Sequence, residues 1–260
     1  MTTRREVIAN ILGWSAAGLT LMLGGCATVG VADEANALLQ EGQQFYNAKR
    51  FDEAIAKFRE AAAKDPNNWS AYLWMARAFI AKGTWGEAIA AGRRAFELAP
   101  QGPEVASTFL QALFGGGMEA LNGGRFVDSI KYLSEYLRHQ PTNTSAWVNV
   151  GKAYMGNRQF MDGLGSLTKA MGMGGADRGE ILKTIFGGGM QAFGQRDYSS
   201  AINLLKEYVK NDPRNLQAYL TLAKSYWESG QRGGALEAFR EVIKINPTNG
   251  EALQFLRQLM

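Results

Sequence analysis

The sequence predicts an all-α chain: a solenoid of six helical hairpins in series, closed by a short C-terminal helix. Three observations predict it. Pro66, Pro100, Pro141, Pro213 and Pro247 each end an apolar-periodic stretch, and the intervals Pro66 to Pro100 and Pro213 to Pro247 are both 34 residues. Between these prolines, small and large side chains alternate at helical spacing. Finally, Phe114-Gly115-Gly116-Gly117-Met118 returns 72 residues later as Phe186-Gly187-Gly188-Gly189-Met190, so the units were duplicated in pairs. A fixed period of this length, with two helical patterns in each, marks stacked repeats rather than one closed core.

The first element is a leader, residues 1–25. Arg4 and Arg5 give a short positive start, Val7 to Leu23 is mostly apolar, and the run ends in Leu23-Gly24-Gly25-Cys26. Small residues placed directly before the only Cys of the chain resemble the lipobox of bacterial lipoproteins. That resemblance implies cleavage before Cys26, diacylglycerol on its thiol and acylation of the new amine, so that several acyl chains hold the protein stably at a membrane. Ala27, rather than Asp, after the Cys implies the outer membrane, facing the periplasm. The competing readings are an uncleaved anchor with a coincidental Cys, and a buried helix. Residues 26–34 are expected to be a lipidated linker.

The solenoid is expected over 35–260. Its units are 35–68, 69–102, 110–143, 144–177, 182–215 and 216–249, followed by a capping helix at 250–260 carrying Leu253, Phe255, Leu256 and Leu259. Short insertions, 103–109 and 178–181, part the units into three doublets. In each first helix a bulky fourth residue (Leu38, Tyr72, Leu113, Trp147, Ile185, Tyr219) precedes a small eighth one (Gly42, Ala76, Gly117, Gly151, Gly189, Ala223). The eleventh is aromatic in four units: Phe45, Phe79, Tyr154 and Tyr226. Spacing i, i+4, i+7 puts all three on one face, the predicted core. In the second helix a small residue (Ala54, Ala88, Ser129, Gly163, Ala201, Ala235) is followed four later by a large one (Phe58, Leu133, Leu167, Leu205, Phe239), except that Gly92 stands in the second unit. Small-against-large pairing lets two helices interlock and then stack on the next pair.

These residues make the chain resemble the tetratricopeptide repeat family over about 215 residues. The resemblance implies a right-handed superhelical α-solenoid whose first helices line a concave groove at places 5, 9 and 12 of each unit. Those places lie about 100° round from the core face. The fifth holds Leu39, Leu73, Phe114, Val148, Phe186 and Leu220, and the twelfth includes Tyr46 and Trp227. The ninth alternates: Arg77, Lys152 and Lys224 in even units, Met118 and Met190 in the later odd ones. An apolar groove of this kind is expected to bind an amphipathic helix or extended segment, with the three cations pairing its carboxylates. The competing reading is that these side chains pack between neighbouring helices. For the triple glycines, close helix contact and local unwinding remain the alternatives, since each mid-helix Gly costs about 1 kcal/mol relative to Ala.

Composition narrows the function. The 260 residues are 46% hydrophobic and 20% charged, with a net charge of +4 and both signs interspersed, which argues against nucleic acid as a partner. One Cys and one His rule out an internal disulfide and a Cys/His zinc site. His139 is isolated near a helix end, and Cys26 is committed to lipid, so neither a catalytic residue set nor a cofactor is expected. In architecture the chain is similar to the type IV pilus pilotin lipoproteins, which implies a non-enzymatic scaffold that assembles or localises an envelope machine. The alternatives are an adaptor for outer-membrane protein insertion or exopolysaccharide export, and a regulator docking peptidoglycan enzymes.

Overall fold

The computed structural model describes the backbone of residues 15–259 and the side chains of 30–258. The leader up to residue 14 and the side chain of Cys26 lie outside the described residues. Among those described the fold is all-α, with thirteen helices and no strand. They are α1 (Ser15–Asn47), α2 (Phe51–Lys64), α3 (Trp69–Lys82), α4 (Trp85–Leu98), α5 (Pro103–Asn122), α6 (Phe126–His139), α7 (Thr144–Gly156), α8 (Phe160–Met173), α9 (Arg178–Gly194), α10 (Tyr198–Asn211), α11 (Leu216–Glu228), α12 (Arg232–Ile245) and α13 (Gly250–Leu259). None of the helices among the described residues is long and apolar enough to cross a membrane. Residues 26–34, expected as a linker, continue α1 as helix.

The chain forms two compact units, one ending at Ala112 and one beginning at Leu113. In the first, α1 to α4 make two hairpins packed in chain order, with α3 also touching α1. In the second, successive helices from α6 to α13 pack in order, and α7–α9, α8–α10 and α9–α11 contacts join the α7/α8 hairpin to α9/α10 and that hairpin to α11/α12. This one-beyond-neighbour packing is what stacked repeats require.

Local chemistry explains the helix ends. Asn68, Asn143, Asn215 and Asn249 each stand two residues after a proline and accept a backbone N–H from Ala71, Ala146, Ala218 and Ala252 at 2.9–3.2 Å. Such caps contribute about 1 kcal/mol each. The proline closes one helix, and the Asn opens the next. The turn inside every hairpin carries one left-handed residue at the fifteenth place: Gly83, Gly124 and Gly230 in three, but Lys49, Arg158 and Arg196 at φ 60–63° in the others.

The core is built from the small–large pairs. A Cβ added to Gly42 would lie 2.5 Å from Phe58, and one added to Gly117, Gly151 or Gly189 would lie 2.6–2.8 Å from Leu133, Leu167 or Leu205. In each case the partner is sixteen residues on and fully buried. The second unit inverts this arrangement. Ala76 stands at the eighth place and Gly92 opposite it, and the vacated space is taken by Phe109, whose Cα is 3.3 Å from where a Gly92 Cβ would be.

Phe109 comes from one of the two insertions, and neither insertion is a loop. Residues 103–109 and 178–181 lengthen α5 and α9, which run to 20 and 17 residues against 13 or 14 for α3, α7 and α11. Seven and four residues are close to two and one helical turns, so the buried face continues without rotating out of register.

Candidate partner-binding face

The fifth, ninth and twelfth places of the first helices are distributed differently from one another. In the first unit Leu73 is buried, Leu39 is half-buried, and Tyr46 meets Phe51 and Trp74 edge-on at 5.5 and 5.4 Å. In the second unit, Phe114 packs on Tyr136 at 5.2 Å and Phe186 on Tyr208 at 4.9 Å, each within its own hairpin. The two tyrosines are fixed by the next helix cap: Asn143 Nδ2 donates to the Tyr136 hydroxyl at 2.9 Å, and Asn215 Nδ2 to that of Tyr208 at 3.0 Å. Val148 and Leu220 are buried, and Trp227 lies edge-on to Phe255 of α13 at 5.1 Å. Packing between helices thus uses most of the fifth and twelfth places. The ninth place, with half-buried Met118, Lys152, Met190 and Lys224, is what remains turned outward.

The three cations of this row already have carboxylate partners. Arg77 pairs with Glu104 at 2.9 Å, Lys152 with Glu180 and Lys224 with Glu251. Each acid sits in the first turn of the next first helix or of the cap, just ahead of a fully buried Val105, Ile181 or Ala252. The same ion pair therefore recurs at the end of every doublet. Side chains this exposed contribute roughly 0.5 kcal/mol per pair; they fix the position of the ammonium rather than add much stability. The sequence signal was a Glu 27 or 28 residues after each even ninth place, a separation that no helical period singles out. The expectation that these cations are held for a partner's carboxylates is revised accordingly: a partner must compete with Glu104, Glu180 and Glu251.

The row opens into a hollow of about 410 Å³ in the second unit. Met118, Val148 and Lys152, three of the predicted residues, line it together with Ser145, Asn149, Asp177 and Glu180. Asn149 is mostly buried, and its Nδ2 donates to Ser145 Oγ at 3.3 Å. Asp177 spends one oxygen on the α9 N-terminus, accepting from the Gly179 N–H at 2.8 Å. The hollow therefore has an apolar wall, an amide, and one ammonium against two carboxylates, both of them already engaged by Lys152 and the α9 N-terminus. It suits a peptide backbone with an apolar side chain better than a strongly charged ligand.

Two features fall outside this face. Of the triple glycines, Gly188 and Gly189 are filled by close contact, with Met155 Sδ and Leu205 Cγ 2.7 and 2.8 Å from an added Cβ, while Gly187 faces open space. Both stretches are helical throughout, which settles the matter in favour of contact over unwinding. Among the described residues no three His, Cys, Asp or Glu side chains gather closely enough to hold a metal ion.

The chain matches the tetratricopeptide repeat family over residues 39–103 and again over 192–259, together about half its length. The BBSome complex member BBS4 of Bos taurus is 20% identical over 235 residues, a match covering 77% of this chain and 43% of BBS4. The chain thus spans under half the length of that curated relative. Among solved structures, Naa15/Naa10 bound to HypK-THB has a TM-score of 0.52 at 15% identity, covering 98% of this chain and 38% of that one. PilF of Pseudomonas aeruginosa matches at a TM-score of 0.34 and 15% identity over 88% of this chain and 99% of that one, a likeness too loose to carry an argument about function.

Proposed function

We propose that this chain, which belongs to the tetratricopeptide repeat family, is a lipid-anchored scaffold that binds a protein segment on the face lined by Met118, Val148 and Lys152. Binding other proteins is what the family's stacked hairpins do. The observation that supports this particular face is the 410 Å³ hollow, where the Asn149 amide and an apolar wall stand side by side. An occupant places an apolar side chain against Met118 and Val148 and hydrogen-bonds its backbone to Asn149. Anchoring through Cys26, on the periplasmic side of the outer membrane, rests on Arg4 and Arg5, the apolar run to Leu23, and Gly24-Gly25-Cys26. Assembling or localising an envelope machine is the role such an anchored scaffold fills.

Two experiments test the two halves. A photo-cross-linking amino acid at position 118, in intact cells, is expected to capture a protein that the same group at the exposed position 127 of α6 does not. Identical capture at both positions, or none at 118, removes the face. Radiolabelled palmitate is expected to enter the wild-type protein and not Cys26→Ala; equal labelling removes the anchor.

A further inference from the structure

We propose a second docking surface, on the other side of the first helices, where a hollow repeated once per doublet takes an apolar side chain flanked by carboxylates. The fourth and eleventh places of the even units are aromatic: Tyr72 and Phe79, Trp147 and Tyr154, Tyr219 and Tyr226. They were expected in the core. Instead, all but Phe79 are only half-buried, and each pair lines an open hollow, of about 310, 490 and 490 Å³ in turn. The three hollows are built from equivalent positions: the aromatic pair, the outer side of the following helix, and the preceding second helix through Arg59, Ser134 or Lys206. A crevice that arose merely from stacking helices would recur in every unit. In the third and fifth units, however, the same two places hold Leu113 with Ala120 and Ile185 with Ala192, all fully buried. In the first unit Leu38 and Phe45 are half-buried, so the two places are sealed in the third and fifth units, where the eleventh residue is Ala and neither place carries a ring.

Charge identifies the occupant. Each rim carries one more cation than carboxylate: Arg59 and Arg94 against Glu87; Arg138 and Lys169 against Asp162; Lys206, Arg240 and Lys244 against Glu237 and Glu241. Arg94 is engaged by Glu97 and Lys244 by Glu241. Arg138, Lys169, Lys206 and Arg240 have no carboxylate partner among the described residues. Lys169 sits 3.9 Å from the centre of the Trp147 ring, which is itself held by its indole N–H donating to the Pro141 carbonyl at 2.9 Å. An ammonium over an aromatic face keeps hydrogens free for an incoming carboxylate. A membrane surface is the poorer fit, because anionic lipid is held by clusters of about four to eight cations, whereas here a single excess charge is interleaved with acids. A hollow of this size takes one or two side chains. An acidic–apolar peptide carrying the motif twice gains avidity from the two hollows of the second unit.

The test uses the full chain and fluorescein-labelled Asp-Glu-Leu-Phe-Glu-Asp, with Lys-Lys-Leu-Phe-Lys-Lys as its charge-reversed counterpart. The acidic peptide is expected to bind, and the basic one not. Arg138→Glu, Lys169→Glu, Lys206→Glu and Arg240→Glu together should weaken binding at least about tenfold. Four exposed cations away from the hollows, changed as Lys131→Glu, Lys183→Glu, Arg214→Glu and Arg232→Glu, should weaken it less than about twofold. Far-UV circular dichroism checks that both variants keep their helices, and Trp147→Leu with Tyr219→Leu reads the apolar half of the contact. Absence of binding, equal losses in the two charge variants, or binding of phosphatidylglycerol vesicles but not of the peptide overturns the proposal. Cross-linking at position 118 is independent of all these variants, so the two surfaces fail or stand separately.

Discussion

Phe109 stands over Gly92, its ring stacked on Phe96 at 5.5 Å, in the space that a large side chain of the second helix fills elsewhere. Phe109 is 2% exposed, so Phe109→Ala is expected to cost about 3–4 kcal/mol in urea unfolding. Gly92→Leu alone should also destabilise, since its side chain would run into the Phe109 backbone. Combining Gly92→Leu with Phe109→Ala should recover part of the loss. Strict additivity in that cycle is the outcome that contradicts the exchange.

Adjacent glycines in α9 should respond in opposite directions. Gly187 faces open space, and Gly187→Ala is expected to raise stability by about 1 kcal/mol through helix propensity alone. Gly189→Val drives a branched side chain into fully buried Leu205 and should lower it by about 2–3 kcal/mol. Thermal melts with the same sign for both would refute the assignment of Gly189 to close contact.

Ser129 occupies the small place of its second helix, where four of the other five units have Ala. Its hydroxyl is fully buried and has no hydrogen-bond partner among the described residues. Ser129→Ala is therefore expected to stabilise by about 1 kcal/mol, because a lone buried hydroxyl loses its hydration without replacement. A drop in the denaturation midpoint would show that the hydroxyl has a role in the fold.

Arg158 and Arg196 hold φ 63° in the hairpin turns, where Gly83, Gly124 and Gly230 stand in equivalent turns. Arg158→Gly and Arg196→Gly should each stabilise by about 0.5–1 kcal/mol: relief of left-handed strain outweighs the added freedom of the unfolded chain. The check is the chemical denaturation midpoint of each variant.

Alkali should loosen the second unit. Tyr208 keeps its proton above the ordinary value of 10.0, first because of burial and then because it hydrogen-bonds Asp212; Tyr219 does so through burial and then the nearby Glu241 charge. The unfolded chain ionises these phenols at their ordinary value, so ionisation favours unfolding. Their contribution is whole below about pH 10 and is lost as pH rises through the raised folded values. Urea midpoints measured from neutral to about pH 11 should fall at the alkaline end, and fall less in a Tyr208→Phe, Tyr219→Phe double variant. The same fall in both proteins would assign the effect to other groups.

The hairpin order and the small–large pairs were legible because both depend on spacing within one helix or between two adjacent ones. Gly117 and Gly151 as small places and Leu133 and Leu167 as large ones could be read directly from period and size, and the structure sets each glycine against the leucine sixteen residues on. What escaped depends on third parties. Trp147 and Tyr219 fit the core pattern, yet whether a ring is sealed is decided by the second helix of the preceding unit, which local periodicity does not encode. Phe114 and Phe186 were placed in the groove by their position, while Tyr136 and Tyr208 hold them inside the hairpin. The insertions looked like spacers because they broke the period; a helix that gains whole turns leaves no local mark of doing so.

Those added turns make the seams between doublets the places where this architecture can change length. Because α9 gained four residues at its start, every face downstream kept its bearing, whereas two extra residues would swing the helix by about 200° and expose what is now sealed. Growth here is quantised by the helical pitch, and a lineage or a designer can extend the protein at these joints one coil at a time without rewriting the rest.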